Sequence, residues 1–178
     1  MRRLVTRSTV LLGAAVLAGC SFSFSTGGSD TLDADKIEGA ISSQVRKENP
    51  DLPVKSVTCP DGIKPAQGVT LECTVKVDSA QWPVGVTITQ VDVGEGRVDY
   101  SFKPTKALLN SERIVNTMKV LLPDQGVPNA KVDCGTGRYR VVEVGGAVEC
   151  TVSAGGKRRV ARAVVKDVDG TVNFEWAD

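Results

Sequence analysis

Residues 69–78 read Val-Thr-Leu-Glu-Cys-Thr-Val-Lys-Val-Asp, so that Val69, Leu71, Cys73, Val75 and Val77 alternate with Thr70, Glu72, Thr74, Lys76 and Asp78. A strand turns successive side chains to opposite faces, and this period of two predicts a half-buried β-strand with Cys73 on its apolar side. The tetrapeptide Glu-Cys-Thr-Val returns at residues 149–152, where Val148, Cys150 and Val152 alternate with Glu149, Thr151 and Ser153. The same strand is thus written twice, each time with an inward cysteine.

The correspondence extends on both sides. Gly68 aligns with Gly145, Glu72 with Glu149, and Val91-Asp92 with Val168-Asp169, all at an offset of 77 residues. Upstream, Pro53, Val57 and Cys59 answer Pro128, Val132 and Cys134 at an offset of 75, and residues 98–102 parallel residues 172–176 at 74. Landmarks kept in register over such a span read as a tandem duplication of a unit of about 75 residues. The length changes fall between the cysteines, where the second unit has two extra residues, and in the last hairpin, where the first has three more. Loops absorb such changes at small cost.

Each unit opens with a helical pattern. Asp33 is a cap for a stretch whose Ile37, Ala40, Ile41 and Val45 share one face, with Arg46 and Lys47 at the carbonyl end and Pro50 beyond. In the second unit Asn110 or Ser111 caps a stretch in which Ile114, Val115, Met118, Leu121 and Leu122 share a face before Pro123. An apolar stripe of this kind packs on the unit's own sheet or lies on a membrane surface, and the first use is expected here. Further strands are expected over residues 54–59, 84–91 and 98–103, with counterparts over 130–134, 159–168 and 171–176. The predicted fold class is α+β: two tandem units, each with one helix packed on a roughly four-stranded antiparallel sheet and one disulfide. Residues 31–104 form the first repeat unit and residues 105–178 the second.

The chain begins with Arg2, Arg3 and Arg7, an apolar run over residues 10–17, and Leu17-Ala18-Gly19-Cys20. A charged start, a short apolar centre and a small-residue end read as an export signal over residues 1–19, although such a run could also be a core helix. It is shorter than the roughly 20 apolar residues a spanning helix needs. The last four residues resemble the bacterial lipobox, which implies cleavage before Cys20 and diacylglycerol on its thiol. Residues 20–30, ending Ser-Phe-Ser-Phe-Ser-Thr-Gly-Gly-Ser-Asp, are expected to be a lipidated polar tether.

Five cysteines are an odd number, and an exported chain seldom leaves a thiol idle. One lipid-bearing cysteine and two pairs use all five. The remaining four allow three connectivities, and duplication favours Cys59 with Cys73 and Cys134 with Cys150. A four-thiolate zinc site is the rival, but structural zinc sites favour cysteines two to four residues apart, and exported chains are oxidised. A unit of about 75 residues buries little surface, and closing a loop of about 15 residues adds roughly 3 kcal/mol in the chain-entropy model.

Without residues 1–19 the chain keeps 19 basic and 21 acidic side chains, a net charge of −2, so no strongly basic surface suggests nucleic acid. The charge is uneven: residues 31–104 hold 8 basic and 11 acidic groups, residues 105–178 hold 11 and 9.

A helix, a valine-rich strand ending in Cys59-Pro60-Asp61, Gly68, then Leu71-Glu72-Cys73-Thr74-Val75 and a final hairpin resemble the domain of unknown function numbered 4333. That family occurs in actinobacterial secreted proteins and lipoproteins, and the resemblance implies two copies over nearly all of residues 31–178. It implies no catalytic residues. The second copy departs from the pattern, with Cys134-Gly135-Thr136 where the first has its Cys-Pro pair. The plan of one helix, four strands and one disulfide per unit is also similar to that of the secreted β-lactamase inhibitory proteins, an architectural likeness that does not transfer function by itself.

The sequence contains no histidine, which excludes histidine triads and histidine metal sites. Asp33 with Asp35, and Asp167 with Asp169 before Gly170, read as cap and turn residues rather than catalytic pairs. Gly94-Glu95-Gly96 and Gly155-Gly156 lack the strand-to-helix setting of a phosphate loop and read as hairpin turns. No metal or cofactor is expected. If Val84, Val86 and Ile88 point inward, then Ala161, Ala163 and Val165 do so in the second unit, and Arg158, Val160, Arg162 and Val164 face outward. Arg138, Tyr139 and Arg140 lie in the lengthened cysteine segment. Together Arg138, Tyr139, Arg140, Arg158 and Arg162 form a candidate surface for an acidic partner such as anionic lipid, a wall polymer or an envelope protein. The alternative is a solvated sheet edge guarded by arginines.

The expectation is a non-enzymatic lipoprotein anchored through Cys20 at the extracytoplasmic face of the cell membrane, its paired modules binding or sensing an envelope partner. Inhibition of a secreted enzyme through an exposed sheet face is the alternative, and a carboxylate-based envelope hydrolase the third reading.

Overall fold

The computed structural model describes the backbone of residues 22–25 and the whole of residues 31–177. The chain divides into two compact units between Thr105 and Lys106. Each combines a helix with an antiparallel sheet and an internal disulfide, the α+β plan expected from the alternation.

In the first unit, β1 (Phe22–Ser25), β2 (Val54–Thr58), β3 (Thr70–Val77), β4 (Ala80–Asp92) and β5 (Arg97–Pro104) form a five-stranded sheet in the order β1-β5-β4-β3-β2. Every pairing is antiparallel. The helix α1 (Ala34–Glu48) starts at Asp33, whose carboxylate accepts the Lys36 N–H at 3.4 Å. It ends at Asn49, whose N–H donates to the Val45 carbonyl at 2.9 Å, immediately before Pro50. A cation in the last turn is used structurally: Arg46 donates to the Val54 carbonyl at 3.0 Å and ties the helix end to β2. Ile37, Ile41 and Val45 of the helix are buried, as are Leu71, Cys73, Val75 and Val77 of β3 and Val84, Val86 and Ile88 of β4. The two periodicities, 3.6 and 2, thus converge on one apolar interior.

The second unit uses β7 (Lys131–Asp133), β9 (Ala147–Ala154), β10 (Lys157–Val165) and β11 (Val172–Trp176) in the order β11-β10-β9-β7, the same succession as β5-β4-β3-β2. The helix α2 (Ser111–Leu121) is capped by Asn110, whose side-chain oxygen accepts the N–H groups of Glu112 at 2.9 Å and Arg113 at 3.3 Å. Asn110 rather than Ser111 is therefore the cap, and a 3-10 turn over Pro123–Gln125 follows the helix. The core gathers Ile114, Met118 and Leu122 with Cys134, Val148, Cys150, Val152, Ala161, Ala163, Val165 and Val172.

Three strands add to the expected plan. β6 (Ala107–Asn110) pairs with β8 (Tyr139–Val142) as a separate two-stranded ribbon whose Ala107 and Leu109 join the core. β8 lies inside the cysteine segment that reads as a lengthened loop. The third, β1, corrects the expectation of an aperiodic tether over residues 20–30: Phe22 to Ser25 pair with Tyr100 to Arg97. Phe-Ser-Phe-Ser alternates with a period of two, which four residues are too few to establish over a polar background.

The register corrects the alignment of the last strands. Tyr100 lies opposite Ile88, and Val172 lies opposite Val165. Phe102 likewise faces Val86, while Phe174 faces Ala163. Phe102 thus corresponds to Phe174 and not to Trp176, an offset of 72 rather than 74. A slip of two residues keeps every side chain on its face, so alternation alone does not detect it.

Both expected disulfides are present, Cys59–Cys73 and Cys134–Cys150. All four of these thiols should be unreactive in the native chain. Replacing Cys59 and Cys73 together by alanine should cost about 3 kcal/mol in denaturant unfolding; no loss would show that the loop closure is energetically idle.

Burial gives the first unit an alkaline limit. Tyr100 is 2% exposed, and desolvation pushes its phenol from 10.0 up to about 12. The folded state therefore favours the neutral phenol, a contribution complete below the unfolded value and lost as pH climbs through the folded one. Stability should fall by up to about 3 kcal/mol between pH 10 and 12. Unfolding curves of Tyr100→Phe should lack that share of the decline.

Candidate functional site

The candidate residues lie in two settings, the N-terminal end of α2 and the outer face of β10. At the first, the Ser111 N–H donates to the Arg138 carbonyl at 2.9 Å and its hydroxyl to the Gly137 carbonyl at 2.8 Å. Ser111 is buried, and it fastens the cysteine segment to the helix start. Arg140 completes the fastening. Its Nε donates to Ser111 Oγ at 3.3 Å, and one terminal nitrogen donates to the carbonyls of Cys134 at 2.6 Å and Thr136 at 2.8 Å.

Glycine at position 135 makes room for this clamp. Its φ is +77°, in the left-handed region, and an added Cβ would stand 3.0 Å from the Arg140 guanidinium. The first unit has Pro60 at the corresponding place. There the link to the helix runs through a carboxylate instead: Glu38 of α1 accepts the Cys59 N–H at 2.8 Å.

Arg138 and Tyr139 sit on the surface beside this clamp. Arg138 approaches Glu112 at 3.6 Å and lies 5.6 Å from the centroid of the Tyr139 ring. Both partners of the ion pair are exposed, so its contribution is small.

On β10 the expected phase holds. Ala161, Ala163 and Val165 are buried, while Arg158 and Val160 are exposed and Arg162 is half-exposed. Arg162 occupies the centre of a row across three strands, with Glu149 of β9 and Glu175 of β11 directly opposite. It contacts Glu175 at 3.4 Å through a terminal nitrogen and Glu149 at 3.9 Å through Nε. The second distance is too long for a hydrogen bond, and that Nε has no hydrogen-bond partner among the described residues. Two carboxylates nonetheless offset this cation.

Arg158 is different. Register sets it opposite Ser153, which in turn faces Lys131 of β7. It makes no ion pair among the described residues, and Val160 beside it is 39% exposed. No hydrogen bond, ion pair or ring contact joins the Arg138–Arg140 setting to Arg158 or Arg162 among the described residues.

One participant escapes a reading by phase. Arg159 belongs to the inward series, opposite the core residue Val152, yet its side chain is exposed, and its guanidinium lies 4.1 Å from the Trp176 ring centroid. The Trp176 indole N–H donates to the Gln125 side-chain oxygen at 3.2 Å. The run Lys157-Arg158-Arg159 against a terminal tryptophan is the only sequence signal for this stack.

The remaining carboxylates behave as structural groups. Asp167 accepts the Thr171 N–H at 3.0 Å in the β10–β11 turn. Burial acts to raise its pKa, but hydrogen bonds from Thr171, Asp169 and Gly170 outweigh burial and hold the carboxyl below the ordinary range. Glu143 is lowered by the hydrogen bond and charge of Lys106, 2.9 Å away. Among the described residues no three potential metal ligands of the histidine, cysteine, aspartate or glutamate type are gathered together. No helix among them is long and apolar enough to cross a membrane. Cys20 and the expected signal segment lie outside the described residues.

The family profile of a domain of unknown function (DUF4333) matches residues 15–93. The match ends at Val93, just past β4, so β5 and the second unit lie outside it, in contrast to the two-copy coverage expected from the sequence. No curated protein and no solved structure matches the chain.

The clamp and the open cation should separate in stability measurements. Arg140→Ala should lower the unfolding free energy by about 2 kcal/mol, because carbonyls bonded to a charged donor lose it. Arg158→Ala should stay within about 0.5 kcal/mol of wild type. Equal effects would refute the distinction.

Proposed function

We propose that this chain is a non-enzymatic lipoprotein of the cell envelope, anchored through Cys20, whose second module presents the outer face of its sheet to an envelope partner. The observation that carries the reading is the exposed pair Arg158 and Val160 on β10, a cation and an apolar side chain side by side with no acidic residue opposite. The sequence supports it from two further directions. Leu17-Ala18-Gly19-Cys20 has the form of a lipidation signal, and a chain without histidine, whose other four cysteines are paired, offers few groups for nucleophilic or metal chemistry.

The five candidate residues do not act alike in this reading. Arg140 holds the cysteine segment, Arg162 is offset by Glu149 and Glu175, and Arg158 is the residue available to a partner. Arg138 and Tyr139 form a separate surface. Inhibition of a secreted enzyme would use the same uncovered face, and Val160 is its natural anchor.

Two measurements test the proposal. Intact mass from the native host should show a chain beginning at acylated Cys20; an unmodified Cys20 would dismiss the anchor. Cross-linking on intact cells should lose its principal product when Arg158 and Val160 are replaced by alanine and serine. An unchanged profile would dismiss the face, and a secreted hydrolase in the product would favour the inhibitory role.

A further inference from the structure

From Cys150 to Lys166 the sequence carries Lys157, Arg158, Arg159, Arg162 and Lys166 and not one acidic residue. The fold concentrates three of these at one end of the second sheet. β9 and β10 join through Gly155-Gly156, and Lys157 follows the turn at once, opposite Ala154. One row further in, Lys131, Ser153 and Arg158 lie side by side on β7, β9 and β10. Lys131, Lys157, Arg158 and Arg159 are all exposed. Arg162, the cation that meets two carboxylates, lies four residues beyond Arg158 along β10 and outside this group.

Two features of the same end matter for what it can meet. Glycines at the turn leave the tip without side chains, so a surface can come close to the flanking cations. Arg159 over Trp176 places an amphipathic ring and a cation together on the inward-phase side of β10, while Val160 adds exposed apolar surface on the outer side, beside Arg158. Tryptophan with lysine and arginine is the combination that settles at a bilayer's headgroup level. The side chains of Lys131, Lys157 and Arg158 make no hydrogen bond among the described residues, although their backbones lie in the sheet. Unfixed cations suit a fluid, laterally uniform anionic surface better than a partner of defined shape.

We infer that the β9–β10 turn end of the second module, with Lys131, Lys157, Arg158 and the Arg159–Trp176 stack, docks onto an anionic phospholipid surface. The inference rests on the proposed envelope location for its biological setting, but its physical content does not depend on acylation of Cys20.

The test uses the full unacylated chain and two kinds of vesicle, phosphatidylcholine alone and three parts phosphatidylcholine to one part phosphatidylglycerol. Wild type should bind the anionic vesicles more tightly, and the preference should shrink as salt is raised. Replacing Lys131, Lys157 and Arg158 together by glutamine should weaken binding to anionic vesicles roughly a hundredfold, about fivefold for each cation near the surface. Binding to neutral vesicles, which reports any contribution of the apolar N-terminal run, should not change. A control removing three cations from the first module, Lys47→Gln, Lys55→Gln and Lys64→Gln, should retain the preference. Wild-type affinity in the first variant, or an equal loss in the control, would overturn the inference. So would binding to a soluble anionic wall polymer with none to the vesicles. Loss of the anionic preference alone would leave the anchor at Cys20 standing, and an unmodified Cys20 in the native host would leave the vesicle result standing.

Discussion

Each module depends on a covalent bond between an inner strand of its sheet and the segment that follows the neighbouring edge strand, β2 or β7. Cys73 and Cys150 face inward because they fall on the apolar phase of β3 and β9, and each reaches one partner, Cys59 or Cys134. A core this small only just offsets the conformational entropy lost on folding, so a link that restricts the unfolded chain carries weight beyond its few atoms. The bond also fixes where the following segment leaves the sheet, and both modules then bind that segment to a helix. They do so with opposite charge. The first offers a carboxylate, Glu38, to the Cys59 N–H; the second offers a guanidinium, Arg140, to the Cys134 carbonyl. A peptide group presents a donor and an acceptor, and either can hold the link.

The same reversal runs across the outer faces. Glu72 is opposite Gly85, which is opposite Lys103; in the second module the corresponding row is Glu149, Arg162, Glu175. At Gly85 an added Cβ would stand 3.2 Å from the Thr105 methyl, and Thr105 donates its hydroxyl to Glu72 at 3.3 Å. The first module covers the centre of this row with a residue from the end of its last strand, whereas the second fills it with a long cation between two acids. Strands in the same order thus carry surfaces of different chemistry, and the cores differ as well, with Val84, Val86 and Ile88 answered by the smaller Ala161, Ala163 and Val165.

Much of the fold was legible because it rests on long periodic signals. The alternation over residues 69–78 that contains β3, the helix faces with their caps, and cysteines recurring in register carry the two-module plan and the disulfide pairing. Short strands were not legible. β1, β6 and β8 have four residues each, and Ala-Leu-Leu-Asn before α2 reads equally well as a helix entry. The slip in the last strands was invisible for a different reason, since a shift of two residues preserves every face. The candidate site was legible in residue type and phase but not in role. Nothing in Arg138-Tyr139-Arg140 says that the third residue turns in to meet backbone carbonyls while the first stays at the surface. The glycine at 135 was a usable sign, because it replaces a proline that could not adopt its φ.

Pairing of β1 with β5 would change the mechanics of attachment to a bilayer if Cys20 carries the proposed lipid. Phe22, the first residue of that strand, is two positions after Cys20. A chain acylated there would have only about 7 Å of extended backbone between lipid and sheet edge. Such a leash is about as long as a headgroup layer is thick, so the first module of a chain acylated there would ride close to the membrane with its β1 edge turned toward it, not drift on a long stalk. Strand pairing at one edge would thereby become a device for orientation, since unzipping four residues would lengthen the leash and free the module to turn.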